Sequence, residues 1–576
     1  MNYSLEKMAY SVPMSYQAIR YLNHPAFTGE LNGRPEGLYL RMIHGMGRRA
    51  CFRIVPLLDG EPCEYSLQDI TMTAAGVVIR VEGKELALTF ASPEILCAGS
   101  NGLGVRFDMT SSAYEYVAVQ NDKRALVNTS ASWTQYMFSA ITGTMQVDAP
   151  YDTQCCSYIH CDFLPDTTGR MNMVTEQFEK IWQERTYTYV IEECMVINQA
   201  AFDAFAVGFP PCEKQYENAR QEAIFILWSG VVKPYRYVTR RGIYCSNNWM
   251  TGVWTWDSAI ISMGTSLGDF DLALDQLLFP FDSQTPEGLL PDYVNPNEQM
   301  WNFTKPPVHG IALQNFFIDR LTPTQLQDIR EKFAMQIAYY ERYTDSDHDG
   351  IYQYNHGNDC GWDNCTPFEV GAPVEGPDLN AYLILEMHAL AAVCKKLGDQ
   401  NDAEHWTAKA EHLQQKLLSH SWDGEHFRVY QSGTHKQSRR GDSLYNYLPV
   451  CLGHHLPKEI FEKLVNDLKE PGRFLTAHGF ATESVKSDCY EPDGYWRGPI
   501  WAPIMLLMIQ GIVDGGDRAF GMELARRFCD TCAENGFAEN YNAVTGKPLR
   551  DQAFAWTASA FIVLYSRYLQ NANEEG

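Results

Sequence analysis

Pro210-Pro-Cys-Glu-Lys-Gln-Tyr-Glu-Asn-Ala-Arg-Gln-Glu-Ala-Ile-Phe-Ile-Leu-Trp-Ser-Gly-Val-Val232 is where the chain changes its hydrophobic period. Ahead of it the apolar residues come in short runs of strand character: Gly37–Ile43, Gly76–Val81, Leu86–Phe90, Val105–Met109 and Thr186–Ile191. Clusters of Gly, Asp, Asn and Ser separate these runs, which predicts an antiparallel β-sandwich-like domain over residues 1–210. From Glu213 onward apolar residues recur every three to four positions, the spacing of one helix face. Twelve helices are expected, over 214–231, 257–267, 269–279, 308–319, 323–344, 377–397, 400–420, 442–452, 457–469, 499–513, 516–534 and 554–570. Connections alternate between tight and long, and their spacing is too irregular for identical stacked repeats. The pattern fits an all-α (α/α)6 barrel over residues 211–576, six inner helices ringed by six outer ones. The expected fold class is therefore multidomain, a β-sandwich-like domain followed by a helical toroid.

Bulk properties narrow the function. The 576 residues carry a formal net charge of -25, which opposes nucleic acid or an anionic membrane as partner, because both need clustered Lys and Arg. Residues 1–22 include Glu6, Tyr10, Ser11 and Pro13 where a secretory signal needs an apolar core, and no later run is long enough to span a bilayer. Sixteen scattered cysteines, two of them the neighbours Cys155 and Cys156, read as reduced thiols. A soluble cytoplasmic protein is expected. Cys360 and Cys365 flank one loop, and no second CxxC or His pair completes a zinc site with them.

The long loops hold the unusual residues, as loops on a rigid scaffold commonly do. Glu491-Pro-Asp-Gly-Tyr-Trp-Arg-Gly-Pro-Ile-Trp501 packs Tyr495, Trp496, Arg497 and Trp501 between glycines and prolines ahead of an apolar helix. Aromatic faces stack on sugar rings and a guanidinium supplies a fork of donors, so the composition suits a carbohydrate; closure over a hydrophobic core is the alternative. Asn247–Asp257 brings three tryptophans, Trp249, Trp254 and Trp256, ahead of Asp257, which either caps the following helix or grips sugar hydroxyls. Lys305-Pro-Pro-Val-His309 is a stiff helix entry that can also line a pocket.

Asp345-Ser-Asp-His-Asp-Gly350 has the alternating carboxylates and glycine of the opening half of an EF-hand-like calcium loop, yet position 356 is a histidine where such a loop needs glutamate. Either a fourth carboxylate comes from elsewhere or the segment is a solvated turn. In Asn358-Asp-Cys-Gly-Trp-Asp-Asn364, Asp363 follows Trp362, and an indole wall raises a carboxyl pKa toward the range of a general acid. A solvated aspartate in a turn has the same spacing. Glu539, in Ala538–Gly546, is a second candidate carboxylate, 176 positions after Asp363. Two carboxyls so far apart face one another only across a closed architecture, where one protonates a glycosidic oxygen and the other activates water.

The ordered set Trp254-Thr-Trp-Asp257, Lys305-Pro-Pro307, Cys360-Gly-Trp-Asp363, Gly494–Trp501, Glu539–Gly546 and Phe554-Ala-Trp556 resembles glycoside hydrolase family 63 and, more distantly, the trehalases of family 37. The resemblance spans about residues 212 to 570. It implies an (α/α)6 barrel that hydrolyses α-glycosides with inversion, with Asp363 as general acid and Glu539 as general base. Asp257, Trp496 and Arg497 would then hold the non-reducing sugar, Trp254, Trp256, Trp362 and Trp556 would wall the site, and Tyr495 is a further candidate for binding substrate. Some relatives bind calcium through a loop like Asp345–Gly350 plus a glutamate. The implied ligands of a structural calcium ion are thus Asp345, Asp347, Asp349, Ile351 through its carbonyl, and Glu375. Two departures stand out: Asp359-Cys360 replaces the Glu-Ser found before the acid's glycine, and the trehalase glycine run before the base is absent.

The function expected from the sequence is an inverting, exo-acting α-glycosidase, most simply an α-glucosidase on a short oligosaccharide or small glucoside, with no organic cofactor. A phosphorylase on the same barrel would need cationic donors for phosphate and no glutamate base. A carbohydrate-binding protein without catalysis would need neither carboxylate.

Overall fold

The structure is a computed structural model that describes residues 1–23, 35–46, 50–110 and 114–570. It divides into two compact units: residues 1–207 with 224–233 and 246–252, and residues 208–223 with 234–245 and 253–576.

The first unit is built on two antiparallel sheets. One runs in the spatial order Gln17–Leu22, Gly37–Met42, Ala50–Leu58, Gly104–Thr110, Tyr158–Leu164, Thr144–Asp148. The other runs Tyr116–Asn121, Arg124–Thr129, Thr134–Thr142, Arg170–Phe178, Ile95–Asn101, Lys84–Ser92, Gly76–Val81, Ile70–Thr73. Alternation sends every second side chain inward, and Phe52 and Phe107 of the first sheet meet Phe138 of the second edge to face, with centroids 5.2 Å apart in each pair.

The run Thr186–Ile191, expected as a strand, is not one. Residues 181–190 form an irregular segment, and helix α1 (Ile191–Val207) follows. Glu176 explains the departure, because its carboxylate accepts from the Tyr187 hydroxyl at 2.5 Å and the Trp182 indole at 3.0 Å, laying the segment across the sheet. Glu192 and Glu193 then favour a helix N-terminus, and Ile191 packs with Ile95, Cys97 and Val174. In the same unit the buried Arg41 donates to the carbonyls of Asn247 and Asn248 at 2.9 and 2.7 Å.

Each of the twelve expected helices has a helical counterpart. They are α2 (Glu217–Ser229), α3 (Thr255–Thr265), α4 (Phe270–Leu278), α5 (His309–Ala312, extended by a π turn to Phe317), α6 (Pro323–Tyr343), α7 (Pro377–Leu397) and α8 (Gln400–Ser421). A 3-10 segment, Leu444–His455, comes next, then α9 (Lys458–Leu468), α10 (Ala502–Asp514), α11 (Arg518–Asn535) and α12 (Ala555–Leu564, extended by a π turn to Leu569). The 442–452 stretch is 3-10 rather than α because Pro449 lacks the amide an α-helix needs there. Among the described residues no helix is long and apolar enough to cross a membrane.

Within the second unit α3 packs on α5, α5 on α7, α7 on the 3-10 segment, that segment on α10, α10 on α12, and α12 back on α3. Helices α4, α8, α9 and α11 pack on α3, α7, the 3-10 segment and α10 respectively, each next to its partner in the chain, and α6 packs on α7. Two-residue strands precede three of the ring helices: Val253–Trp254 pairs with Tyr293–Val294, Val374–Glu375 with Tyr430–Gln431, and Ile500–Trp501 with Asn540–Tyr541. These short ladders staple the long loops to the ring.

The α3–α12 crossing is intimate. Gly264 N donates to Ser559 Oγ at 2.8 Å while that hydroxyl donates to Ile260 O at 2.7 Å, and a Cβ at 264 would lie 2.7 Å from Ser559 backbone atoms. Gly264→Ala is therefore expected to destabilise the helical unit by about 1–3 kcal/mol, measured by denaturant unfolding. An unchanged midpoint would mean that the two helices part without cost.

Candidate active site

The ladder of Val253–Trp254 with Tyr293–Val294 brings Asp257, in the first turn of α3, toward Asp292. Thr255 N donates to Asp292 O at 2.9 Å. Lys305 lies between these acids, its Nζ 3.0 Å from Asp292 Oδ1 and bonded to Asn358 O and Oδ1 at 2.6 and 2.5 Å. All three charged groups are buried. Burial pushes the Asp257 carboxyl up to about 7, with Lys305 and the Cys245 thiol, 3.3 Å from Oδ1, pulling it back. Asp292 is pushed up to about 6 by burial, against the attraction of Lys305.

The loop carrying Asp363 is braced from within. Asp359 accepts from Thr304 N at 2.8 Å and from Asn355 N and His356 N at 2.9 Å each, and the Cys360 thiol donates to Gly357 O at 3.0 Å. Gly361, at φ +73, sits where a Cβ would come within 2.7 Å of the Trp256 ring, so glycine alone fits. Asp363 follows with its side chain open to solvent, although neighbouring groups partly desolvate it. Desolvation raises its pKa, and Lys305 and His356 lower it. Asn364 then laces this loop to 491–501: it donates to Gly494 O at 3.0 Å, accepts from Trp496 N at 3.0 Å, and its carbonyl accepts from Arg497 Nε at 2.7 Å.

Glu539 directly precedes the strand Asn540–Tyr541. Its amide donates to Asp551 O at 2.7 Å and its carbonyl accepts from the Trp556 indole at 3.3 Å. The Tyr495 hydroxyl donates to Glu539 Oε1 at 3.3 Å. Burial pushes this carboxyl up to about 8, with Asp551 and Asp257 adding to the rise. Tyr495 itself is held at φ 62, left-handed backbone that a bulky residue rarely adopts. Burial raises its hydroxyl pKa, and the charges of Glu539, Asp363 and Asp257 raise it further.

The tryptophans form a packed stack. Trp496 lies parallel to Trp501 at 3.8 Å and stacks on Trp362 at 4.9 Å. Two rings that close must occupy its opposite faces, so Trp496 fixes the positions of its neighbours more than it offers a free face. Trp256 meets Trp556 edge-on at 5.5 Å, and Trp254 stacks on Tyr293 at 4.5 Å. Arg497 donates to Glu369 at 3.1 Å as well as to Asn364, bracing the acid loop. The residues that sequence reading left out of the site are Asp292, Lys305 and Trp501. Lys305 stood in a noted motif, whereas Asp292 carries no local signal and reaches the site only through a strand pairing distant in sequence.

Of the proposed metal ligands, Asp347, Asp349 and Glu375 converge, together with His435, so that one ligand atom from each lies within 4.8 Å of the others. Asp345 instead accepts from Gly350 N at 3.2 Å, and Ile351 N donates to Asp349 at 2.8 Å.

Comparison with known proteins bears on the family and the fold. The chain is 23% identical over 401 residues to a mannosylglycerate hydrolase of Thermus thermophilus, covering 53% of this chain and 92% of that one. The crystal structure of a GH63 mannosylglycerate hydrolase from Thermus thermophilus in complex with glucose superposes with a TM-score of 0.52 at 18% identity, over 61% of this chain and all of that one. A bacterial glucoamylase complexed with acarbose matches at TM-score 0.62 and 11% identity over 98% of this chain and 97% of its own, which extends the likeness in fold to the sheet-rich unit. The resemblance to family 63 read from the ordered motifs is borne out. The model of the mannosylglycerate hydrolase MGH1-like glycoside hydrolase domain matches residues 250–557, more than half of the chain, and the chain belongs to that family of glycoside hydrolases.

Proposed function

We propose that the chain is an inverting, exo-acting hydrolase of small α-glycosides, built on an (α/α)6 toroid, with Asp363 as general acid and Glu539 as general base. The closed succession of helices from α3 through α12 and back supports the toroid. The observation that carries the catalytic reading is the Tyr495 hydroxyl, bonded to Glu539 and within the field of Asp363. It is bonded to one candidate carboxyl and feels the charge of the other, which supports their working on one substrate. Glu539, deeper and barely exposed, takes a proton from water, while Asp363, open to solvent, protonates the leaving oxygen. Asp257 suits the hydroxyls of a terminal sugar. An α-glucoside is the first substrate to try, and the names of the relatives add mannosylglycerate. The free thiols, with Cys97 against Cys194 and Cys360 against Cys365, suit a reducing cytoplasm.

In the free enzyme burial keeps Glu539 protonated up to about 8, and desolvation raises Asp363 against the pull of Lys305 and His356. The productive form needs Glu539 ionised and Asp363 protonated. An α-glycosyl fluoride needs no proton for departure, so its kcat/KM is expected to climb with pH to a plateau above about 8, while an O-glycoside gives a bell-shaped profile. Asp363→Asn should retain fluoride hydrolysis and lose at least about a hundredfold on O-glycosides. Glu539→Gln should lose both. A fluoride profile that falls above about pH 8, or the opposite split between the variants, would exchange the two roles. Proton NMR of the first-formed product should show the β-anomer, released equally well in phosphate-free buffer.

The same burial sets the stability. Between the unfolded carboxyl pKa and about 8, folded Glu539 keeps a proton that the unfolded chain has lost, so stability falls as pH rises through that window. Glu539→Gln removes this contribution. Its unfolding free energy is expected to exceed that of the wild type increasingly from about pH 5 to 8, by on the order of a few kcal/mol at the upper end, measured by denaturant unfolding at each pH.

A further inference from the structure

The loops assigned to catalysis precede the N-termini of ring helices, and the other end of the same helices encloses a cavity of about 380 Å³. Its wall is made by α5, the C-terminal parts of α7 and α10, the end of the 3-10 segment and Thr407 of α8. From Ala502 to Asp514 along α10 the rise is roughly 18 Å, so the edge of the cavity lies a helix length from the loop that carries Trp496 and Trp501. This is not slack packing. Gly310 of α5 lies so close to α7 that a Cβ would come within 2.4 Å of Glu386 Cα, and a Cβ on Gly511 of α10 would come within 2.3 Å of Val450 O in the 3-10 segment. Backbone contacts therefore border a space that the same helices leave open.

The lining has two faces. Ile311, Leu385 and Leu507 are apolar, and Leu385 keeps partial exposure in the middle of a ring helix whose adjoining Ile384, Glu386 and Met387 are buried. Gln510, His388 and His455 supply the polar face. Gln510 Oε1 and Nε2 are both buried without a hydrogen-bond partner, and so is His388 Nε2. His388 and His455 stack in parallel at 3.8 Å, and burial pushes both imidazoles down to about 4, so they are neutral near neutral pH. Helix α5 continues as the π turn Leu313–Phe317, and Gln314 and Asn315 of that turn add amides to the lining. The only carboxylate and the only ammonium among the described lining residues, Asp514 and Lys395, are exposed. Asp514 already accepts from His454 N at 3.1 Å and meets His454 Nδ1 at 2.5 Å.

A buried amide that offers a donor and an acceptor and uses neither is unfavourable, and it calls for a partner able to do both. A hydroxyl is such a group. Neutral imidazoles and amides hold no anion by charge, and the helix C-termini on this side present carbonyls, which disfavour one further. Water alone would pair the polar groups and gain nothing from the leucine face, whereas a sugar carries hydroxyls on its edge and C–H groups on its face. A volume of about 380 Å³ falls within the ~300–1,000 Å³ range of small-molecule sites. We infer that this cavity binds a neutral polyhydroxylated molecule, a monosaccharide or a polyol of similar size, with Gln510 as its central hydrogen-bonding group and Leu385 against its C–H face. It is a sugar site apart from the one that hydrolyses, and neither Asp363 nor Glu539 enters the assignment.

The full chain is titrated with D-glucose, D-mannose and glycerol by calorimetry, and its crystals are soaked in the same compounds. Expected are saturable binding at millimolar concentration or below and a bound molecule bonded to Gln510. Gln510→Leu, which removes both amide atoms at similar volume, and Leu385→Trp, which fills the space, should each weaken this binding at least about tenfold. Initial rates of glycoside hydrolysis should stay within about twofold, because both residues are remote from the catalytic loops. The difference between wild type and variants isolates the cavity from sugar held at those loops. Equal binding by the wild type and both variants would overturn the inference. So would soaked crystals with only water in the cavity, or a molecule seen there at crystal concentration with no counterpart in solution. Loss of hydrolysis in Asp363→Asn leaves these readouts unmoved, so the catalytic reading and this one fail separately.

Discussion

One buried ammonium, that of Lys305, is shared among Asp257, Asp292, Asp359 and Asp363, lowering the pKa of each against the rise that burial imposes. Taking three of them, Asp257, Asp292 and Asp359, out of water with a single cation is unfavourable, and the surrounding structure must be rigid enough to impose it. The Asn358 oxygens hold the ammonium, and the Tyr340 hydroxyl donates to the Lys305 carbonyl at 2.8 Å. With its position set, each acid titrates according to its distance from that charge and its access to solvent. Glu539, for which Lys305 is not among the leading influences, is pushed to about 8, above Asp257 at about 7 and Asp292 at about 6.

The indole stack is the mechanical counterpart of this arrangement. Trp362, Trp496 and Trp501 join the acid loop to the loop ahead of α10, while Asn364 and Arg497 lace the same two segments by hydrogen bonds. Stacked rings resist shear poorly but hold separation well, whereas the directed bonds fix register. Together they define where Asp363 projects from a loop that contains no regular secondary structure except a closing 3-10 turn.

The helical half was legible in the sequence because ring helices such as α12 are long apolar runs and outer ones such as α9 are amphipathic, so run length marks the first and period the second. The ordered motifs carried the family for a related reason, since chemistry concentrates Trp, Gly and acidic residues where packing alone would not. What escaped depended on contacts distant in the chain. Asp292 comes into place through a two-residue ladder, and His435 through a hairpin more than sixty positions beyond the Asp345–Gly350 loop. The faces of the tryptophans were also unreadable, because a sequence names a ring without saying what covers it. Helix α1 was missed where Glu176 of the preceding strand captures Tyr187 and Trp182, a tertiary effect that overrides the local strand pattern.

Tyr495 joins two demands at one position. Its left-handed backbone is a conformation that costs a bulky residue on the order of 1–3 kcal/mol, and glycine or asparagine would relieve it. Those replacements would also delete the phenol that reaches Glu539. Relaxation and retention of that contact exclude each other, so a lineage selected only for robustness would drift away from tyrosine here, and one selected for turnover would keep the strain and recover the loss elsewhere in the fold.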